Sequence, residues 1–301
     1  MKKLFTLGIL IQLSTSAIAA EKGAPTFKDV PYGPHERNIL NLWKVESDKP
    51  LGILVQIHGG GWIGGQKQET QHENVFKNGY HTASIDYPLA QYGDRLPSMV
   101  HSDARAIQFL RSKADEWNID PEKIMVSGSS AGAASSLWLA THDDLADLNS
   151  DDPVSRQSTR VAGAIANAGQ TTLDPFLIEE RIGPKTLEHN MLFRPVGAAD
   201  IADLKENWES QYKELSNECT ALTHIDADDS PMFLKYKDAV VPAENAGHGI
   251  HNGMFGVILK EKADEMGATV YLQLGNEAPE VTQKEFMDRL LLGNSVKSRK
   301  L

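Results

Sequence analysis

Gly128-Ser129-Ser130-Ala131-Gly132 is the segment that most constrains what this chain can fold into. It stands between a short apolar run, Ile124-Met125-Val126, and a small-residue stretch, Ala131 to Thr141, of helical character. A strand that turns at once into a helix forces the corner residue into a strained backbone conformation, and flanking glycines leave the room it needs. The corner side chain, Ser130, is then pushed out at the end of a sheet, with the N–H of Ala131 at a helix N-terminus. That suits a nucleophilic hydroxyl beside a donor for developing negative charge. A serine-rich helix cap would use the same residue types, so the pentapeptide needs support from elsewhere.

Support comes from His58-Gly59-Gly60-Gly61-Trp62, which follows the strand candidate Ile53 to Ile57. Three successive glycines let a backbone fold until its N–H groups converge on one point. Acyl transfer needs such a point, because each donor to a tetrahedral oxyanion contributes about 3–4 kcal/mol.

The rest of the chain alternates short apolar runs with helical patterns, the signature of a parallel sheet covered by helices. Thr82 to Tyr87 is a second strand candidate, and Ser98 to Trp117 a helix, with Ile107, Leu110, Ala114 and Trp117 at spacings of three and four. A break at Asp120-Pro121 precedes the short strand that ends at Gly128. Val161 to Ala168, Met232 to Leu234 and Thr269 to Leu274 are further strands; Phe255 to Met266 and Thr282 to Leu292 are helices. Between about Gly169 and Asp229 the alternation lapses. Leu187 to Val196 is loop-like and Ala199 to Glu218 helical and polar. Residues 21–301 are therefore expected to form a single domain, with a cap-like insertion over about 170–229.

HGGGW followed by G-x-S-A-G resembles the α/β-hydrolase superfamily, in particular its hormone-sensitive-lipase-like and bacterial feruloyl-esterase-like carboxylesterases. The likeness runs from about Tyr32 to the last helix. Asp86-Tyr87 resembles the family's D-Y-R segment, and Asp103 to Trp117 with Ile119-Asp120-Pro121 its helix and turn before the nucleophile strand. The resemblance implies a mostly parallel eight-stranded sheet with helices on both faces and a triad ordered Ser, acid, His. It implies oxyanion N–H groups from Gly60, Gly61 and Ala131, a structural role for His58, and no cofactor or metal. Asp238-Ala239-Val240-Val241-Pro242 matches the family's D-x-x-V-P segment, so Asp238 is the carboxylate implied to orient a histidine. Asp226, Asp228 and Asp229 lie on the wrong side of the strand.

The pattern then fails. The family's histidine belongs after the last strand, but Gly275-Asn276-Glu277-Ala278-Pro279-Glu280 stands there, and no histidine follows His251. Loss of the base alone costs up to about 10⁶ in kcat in a well-studied serine protease. His248 and His251 are the replacements on offer, with His251 the candidate base. The thirteen residues from Asp238 to His251 could reach about 40 Å if extended. Helix capping by the same two histidines fits equally, Glu277 could serve only with a pKa raised by burial, and His224 is a remoter choice. A metal pair of His248 and His251 lacks a third ligand at a recognisable spacing. Two readings stay open: a serine esterase acting on short acyl esters, acetyl or feruloyl, borne by a small molecule or a polysaccharide; and a catalytically silent hydrolase fold that binds a carbohydrate or ester ligand. A peptidase of the same fold has nothing in the sequence to favour it.

The first 20 residues carry Lys2 and Lys3, an apolar stretch from Leu4 to Leu13 and the small-residue pattern Ala17-Ile18-Ala19. A stretch of about 10 residues is too short for a bilayer that needs about 20, so it reads as a cleavable export signal leading to the periplasm or outside. Removing its two lysines from 30 basic residues leaves 28 against 41 acidic, a formal charge of −13. Such a charge disfavours nucleic acid and anionic membrane surfaces as partners. Cys219 is the one cysteine and cannot form an internal disulfide, so the fold must rest on its core.

Overall fold

The computed structural model describes residues 23–293. The expected export signal and residues 294–301 lie outside the described residues.

Eight strands form one sheet: β1 (Phe27–Pro31), β2 (Ile39–Trp43), β3 (Leu51–Ile57), β4 (His81–Ile85), β5 (Ile119–Ser129), β6 (Gly163–Asn167), β7 (Met232–Tyr236) and β8 (Val270–Leu274). Their spatial order is β1-β2-β4-β3-β5-β6-β7-β8. The first two strands pair antiparallel, β2 continues antiparallel onto β4, and all the other pairings are parallel. The central strands are apolar on both faces, as a sheet covered on both sides requires. β1 and β2 had no counterpart among the strand candidates, because their apolar runs are short and interrupted by Pro31 to Glu36.

The helices are α1 (Ser98–Ser112), α2 (Ala114–Trp117), α3 (Ala131–Thr141), α4 (Pro175–Arg181), α5 (Ile201–Glu206), α6 (Lys213–Glu218), α7 (Ala221–His224), α8 (Ala246–Ile250), α9 (Met254–Met266) and α10 (Gln283–Leu292). The helix expected over Ser98 to Trp117 is broken at Lys113, whose backbone leaves helical geometry at φ −98° and ψ 5°. Its apolar spacing survives the break, so Ile107, Leu110, Ala114 and Trp117 all reach the core. Asp120-Pro121 does not end a segment. β5 runs through it as a bulge: Leu51 pairs with Ile119 and Ile53 with Ile124, so the extra residues loop out beside β3.

The larger core lies between one face of the sheet and α1, α3 and α9. Ile178, Leu187, Met191, Leu192, Leu204 and Trp208 of the irregular stretch belong to the same core, so that stretch is packed down and not hung on a tether. The other sheet face offers Leu54, Met125, Ile165 and Phe233, and α10 covers them with Phe286 and Leu291. Thr282 and Glu285 close a capping box at the start of α10. Cys219 is buried, and burial pushes its thiol up to about 12, which keeps it protonated and inert. No helix among the described residues is long and apolar enough to cross a membrane.

Candidate active site

Parallel strands end on one edge, so the loops after β3, β5, β6 and β7 gather there. Ser130 sits at the corner between β5 and α3 with φ 54° and ψ −124°, a conformation that side chains rarely adopt. Close packing forces it. A Cβ on Gly128 would stand 2.2 Å from the main chain of Gly132, and a Cβ on Gly132 would stand 2.2 Å from the Ile57 carbonyl oxygen. The start of α3 is thus pressed onto the ends of β3 and β5. The Ser130 N–H donates to the Asn167 carbonyl at 3.0 Å, which fixes the corner to β6 and leaves its hydroxyl partly exposed.

The glycine turn lies directly against this corner. A Cβ on Gly59 would meet the Ser129 carbonyl oxygen at 2.7 Å and Ser130 Cβ at 3.4 Å. Gly60 and Gly61 have φ of 103° and 66°, the left-handed region that favours glycine. The Gly60 carbonyl accepts from the N–H groups of Ile63 and Gly64, so the turn is closed and ordered. Trp62 anchors it: the buried indole donates to Ser135 Oγ at 3.0 Å, on the helix that starts at Ser130. Beside Ser135 lies Asp103, whose carboxyl burial pushes well above the usual carboxylate range.

His58 faces away from the serine. Its Nδ1 donates to the Gly59 carbonyl at 2.7 Å, and its ring stacks on Tyr87 at 4.1 Å. Its Nε2 is 3.3 Å from Asp86 Oδ1, and both side chains are buried. Burial would push the Asp86 carboxyl up; His58, Arg37 and the Lys67 N–H outweigh it and hold it below its ordinary value.

His251 Nε2 stands 3.0 Å from Ser130 Oγ. Its Nδ1 is 2.9 Å from the Gly247 carbonyl, which can only accept, so the proton is on Nδ1 and the lone pair of Nε2 faces the serine hydroxyl. That carbonyl is available because the last turn of α8 tightens: the His251 N–H turns to the carbonyls of His248 and Gly249.

The expectation that Asp238 orients this ring does not hold. Asp238 Oδ1 is 2.9 Å from His248 Nε2 instead. His248 Nδ1 accepts from the Glu244 N–H at 3.1 Å, so its Nε2 carries the proton given to Asp238. Both nitrogens of His248 are engaged, and the ring N–H beside Asp238 holds that carboxyl below its ordinary value. The physical reason is local: a five-residue helix, capped by Asn245, presents His248 toward the Asp238 loop and turns His251 toward Ser130.

Several supports had no signal in the sequence. The Gln170 amide donates to the Ile250 carbonyl, and Asn252 Nδ2 donates to the Val240 carbonyl at 2.8 Å. The Gly253 N–H donates to the Asp238 carbonyl at 2.7 Å, and a Cβ there would be 2.7 Å from the Leu274 side chain at the end of β8. The loop carrying His251 therefore lies beside the strand end where the resemblance led one to expect a histidine. His189, from the irregular stretch, puts its ring 6.5 Å from that of His251, and burial, with His251 adding to it, pushes its pKa down. Glu277 stays in the exposed turn after β8, and His224 bonds to the Glu218 carbonyl in a different cluster.

The chain is similar to a probable carboxylic ester hydrolase, LipM, of Mycobacterium tuberculosis, with 26% identity over 234 residues, 72% of this chain and 49% of LipM. It thus spans about half the length of that curated relative, and less of others it matches. Among solved structures, the acetyl ester-xyloside bifunctional hydrolase from Caldicellulosiruptor lactoaceticus superposes with TM-score 0.62 at 20% identity, over 85% of this chain and 87% of that one. A truncated carbohydrate esterase from gut microbiota superposes with TM-score 0.65 at 18% identity, over 85% and 89%. At such identities the likeness shows the α/β-hydrolase fold. The BD-FAE family model matches residues 41–248, taking in both glycine-bearing turns, Ser130 and Asp238 and ending just short of His251. On that match the chain belongs to the BD-FAE family.

Proposed function

We propose that this chain is a serine carboxylic-ester hydrolase in which Ser130 is the nucleophile and His251 the general base. The observation that carries the reading is the 3.0 Å contact between His251 Nε2 and Ser130 Oγ, with the ring's tautomer already set by a backbone carbonyl. The Ser130 proton passes to Nε2 as Oγ bonds to the ester carbonyl carbon. The N–H groups of Gly60, Gly61 and Ala131 hold the resulting oxyanion. His251 returns the proton to the leaving alcohol as the C–O bond breaks; a water deprotonated by the same ring then adds to the acyl carbon, the acyl–Oγ bond breaks, and Nε2 hands the proton back to Ser130 Oγ as the acid leaves. Asp238 does not touch the reacting groups; with His248 it braces the loop that presents His251.

The recess beside His251, 390 Å³ in volume, is lined by Lys237, Asp238, Glu244, Asn245 and His248 among others. Such a lining suits a hydroxyl-rich alcohol more than a long alkyl chain, and the names of the similar carbohydrate and acetyl esterases agree. The substrate is accordingly a short acyl ester, acetyl or feruloyl, on a small sugar or a polysaccharide. Residues 170–229 form the cap, and the first 20 residues export the chain to the periplasm or beyond.

The second reading, a silent ligand-binding fold, draws on Asp238 being committed to His248, which deprives His251 of a carboxylate partner. A fluorophosphonate probe with hydrolysis of p-nitrophenyl acetate separates the two. Wild type is expected to label and turn over, and Ser130→Ala to do neither. Labelling and turnover indistinguishable from the Ser130→Ala background would favour the silent fold.

A further inference from the structure

Away from the serine, three donors converge at the other end of α3. His142 follows that helix directly, Glu218 ends α6 and His224 ends α7. One nitrogen from each ring and one Glu218 carboxylate oxygen lie within 4.8 Å of one another. His142 Nε2 is 3.1 Å from Glu218 Oε1, and the two imidazole centroids are 4.6 Å apart. His142 Nδ1 donates to the Asp143 carbonyl at 2.8 Å, and His224 Nε2 donates to the Glu218 carbonyl at 2.8 Å. His224 therefore keeps its proton on a carbonyl and a lone pair on Nδ1, while both nitrogens of His142 face acceptors, so an ion at Nε2 takes the place of the proton now shared with Glu218. Metal-binding histidines are prepared in this way, with the second nitrogen tied down by a carbonyl or carboxylate.

We propose that His142, Glu218 and His224 form a binding site for a divalent ion of the zinc class, which would clamp the irregular 170–229 stretch onto the helix that begins at Ser130. Two imidazole nitrogens and one carboxylate oxygen suit zinc, whereas magnesium and calcium favour all-oxygen shells. Bonds of about 2.0–2.2 Å bring the ligand atoms of a tetrahedral site to about 3.3–3.5 Å from one another. Side-chain rotation covers the difference, because Glu218 is held at its main chain, where the Trp138 indole donates to its carbonyl at 2.7 Å. The Glu218 side chain is 44% exposed, so its carboxylate has room to turn about its contact with His142. A positive ion here also meets the C-terminal, negative end of the α3 dipole. The site opens onto a recess of 440 Å³ lined by Glu209, Lys213, Glu214, Glu218 and His224, whose one lysine pairs with Glu209. Donors that lie 76 and 6 residues apart on three elements present no recognisable ligand spacing in a sequence.

Zinc binding to the whole chain tests this, measured by equilibrium dialysis with metal analysis and by thermal unfolding with and without zinc. Wild type is expected to bind one zinc per chain at micromolar concentration and to gain several degrees in Tm. Glu218→Gln and His224→Gln should each weaken binding about tenfold or more and abolish the gain, with Tm and ester hydrolysis in metal-free buffer unchanged. Should one variant unfold without metal, the other carries the result. Zinc that binds all three proteins alike, or that shows no saturable micromolar binding to wild type, overturns the site. Neither outcome depends on whether the chain hydrolyses esters.

Discussion

Two histidines three residues apart meet opposite fates. His248 accepts a main-chain N–H on one nitrogen and donates to a carboxylate with the other, while His251 keeps a lone pair aimed at Ser130. Sequence spacing could nominate both but not divide the work, because the choice is made by the tight last turn of α8 and the frame bonds from Gln170 and Asn252. The glycines were more legible. Gly128 and Gly132 are required by contacts of 2.2 Å, which hold for almost any sharp strand-to-helix corner. Gly132→Ala is therefore expected to destabilise the fold by about 3 kcal/mol, as an overpacked buried site does. Urea unfolding measures it, and a loss below about 1 kcal/mol would mean the corner relaxes more easily than these contacts allow.

At the scale of elements, strands and helices followed the apolar pattern, and the departures have separate causes. α1 and α2 read as one helix because the break at Lys113 leaves the core face in phase. Pro121 read as a boundary because a bulge that absorbs it depends on the partner strand, which periodicity does not reveal. The turn before β7 carries a testable pH signature. Asp229 has a side chain only 1% exposed, and burial pushes its carboxyl up to about 7. The folded state then holds this proton more tightly than the unfolded chain, whose carboxyl titrates near 4. Stability present below about 4 is lost as pH rises toward about 7. Asp229→Asn should remove that part of the decline, so the variant gains on wild type between pH 4 and 8 in denaturant titrations. A difference between the two that does not change with pH would contradict the buried-acid account.

At the scale of the whole molecule, one carboxyl edge of a parallel sheet collects the glycine turn, the serine corner and the two loops beyond β7. That convergence was legible because it follows from topology, and topology follows from alternation and two motifs. The histidine was not, since it arrives from the loop before α9 and reaches the end of β8 sideways. In the proposed mechanism the Gly247 carbonyl, not Asp238, orients the base. Steady-state kcat/KM on p-nitrophenyl acetate for Asp238→Asn beside His251→Gln tests it most directly. His251→Gln is expected to lose about 10⁴-fold or more and Asp238→Asn no more than about tenfold, against about 10⁴ for the acid of a Ser-His-Asp triad. Equal, large losses in both would contradict it.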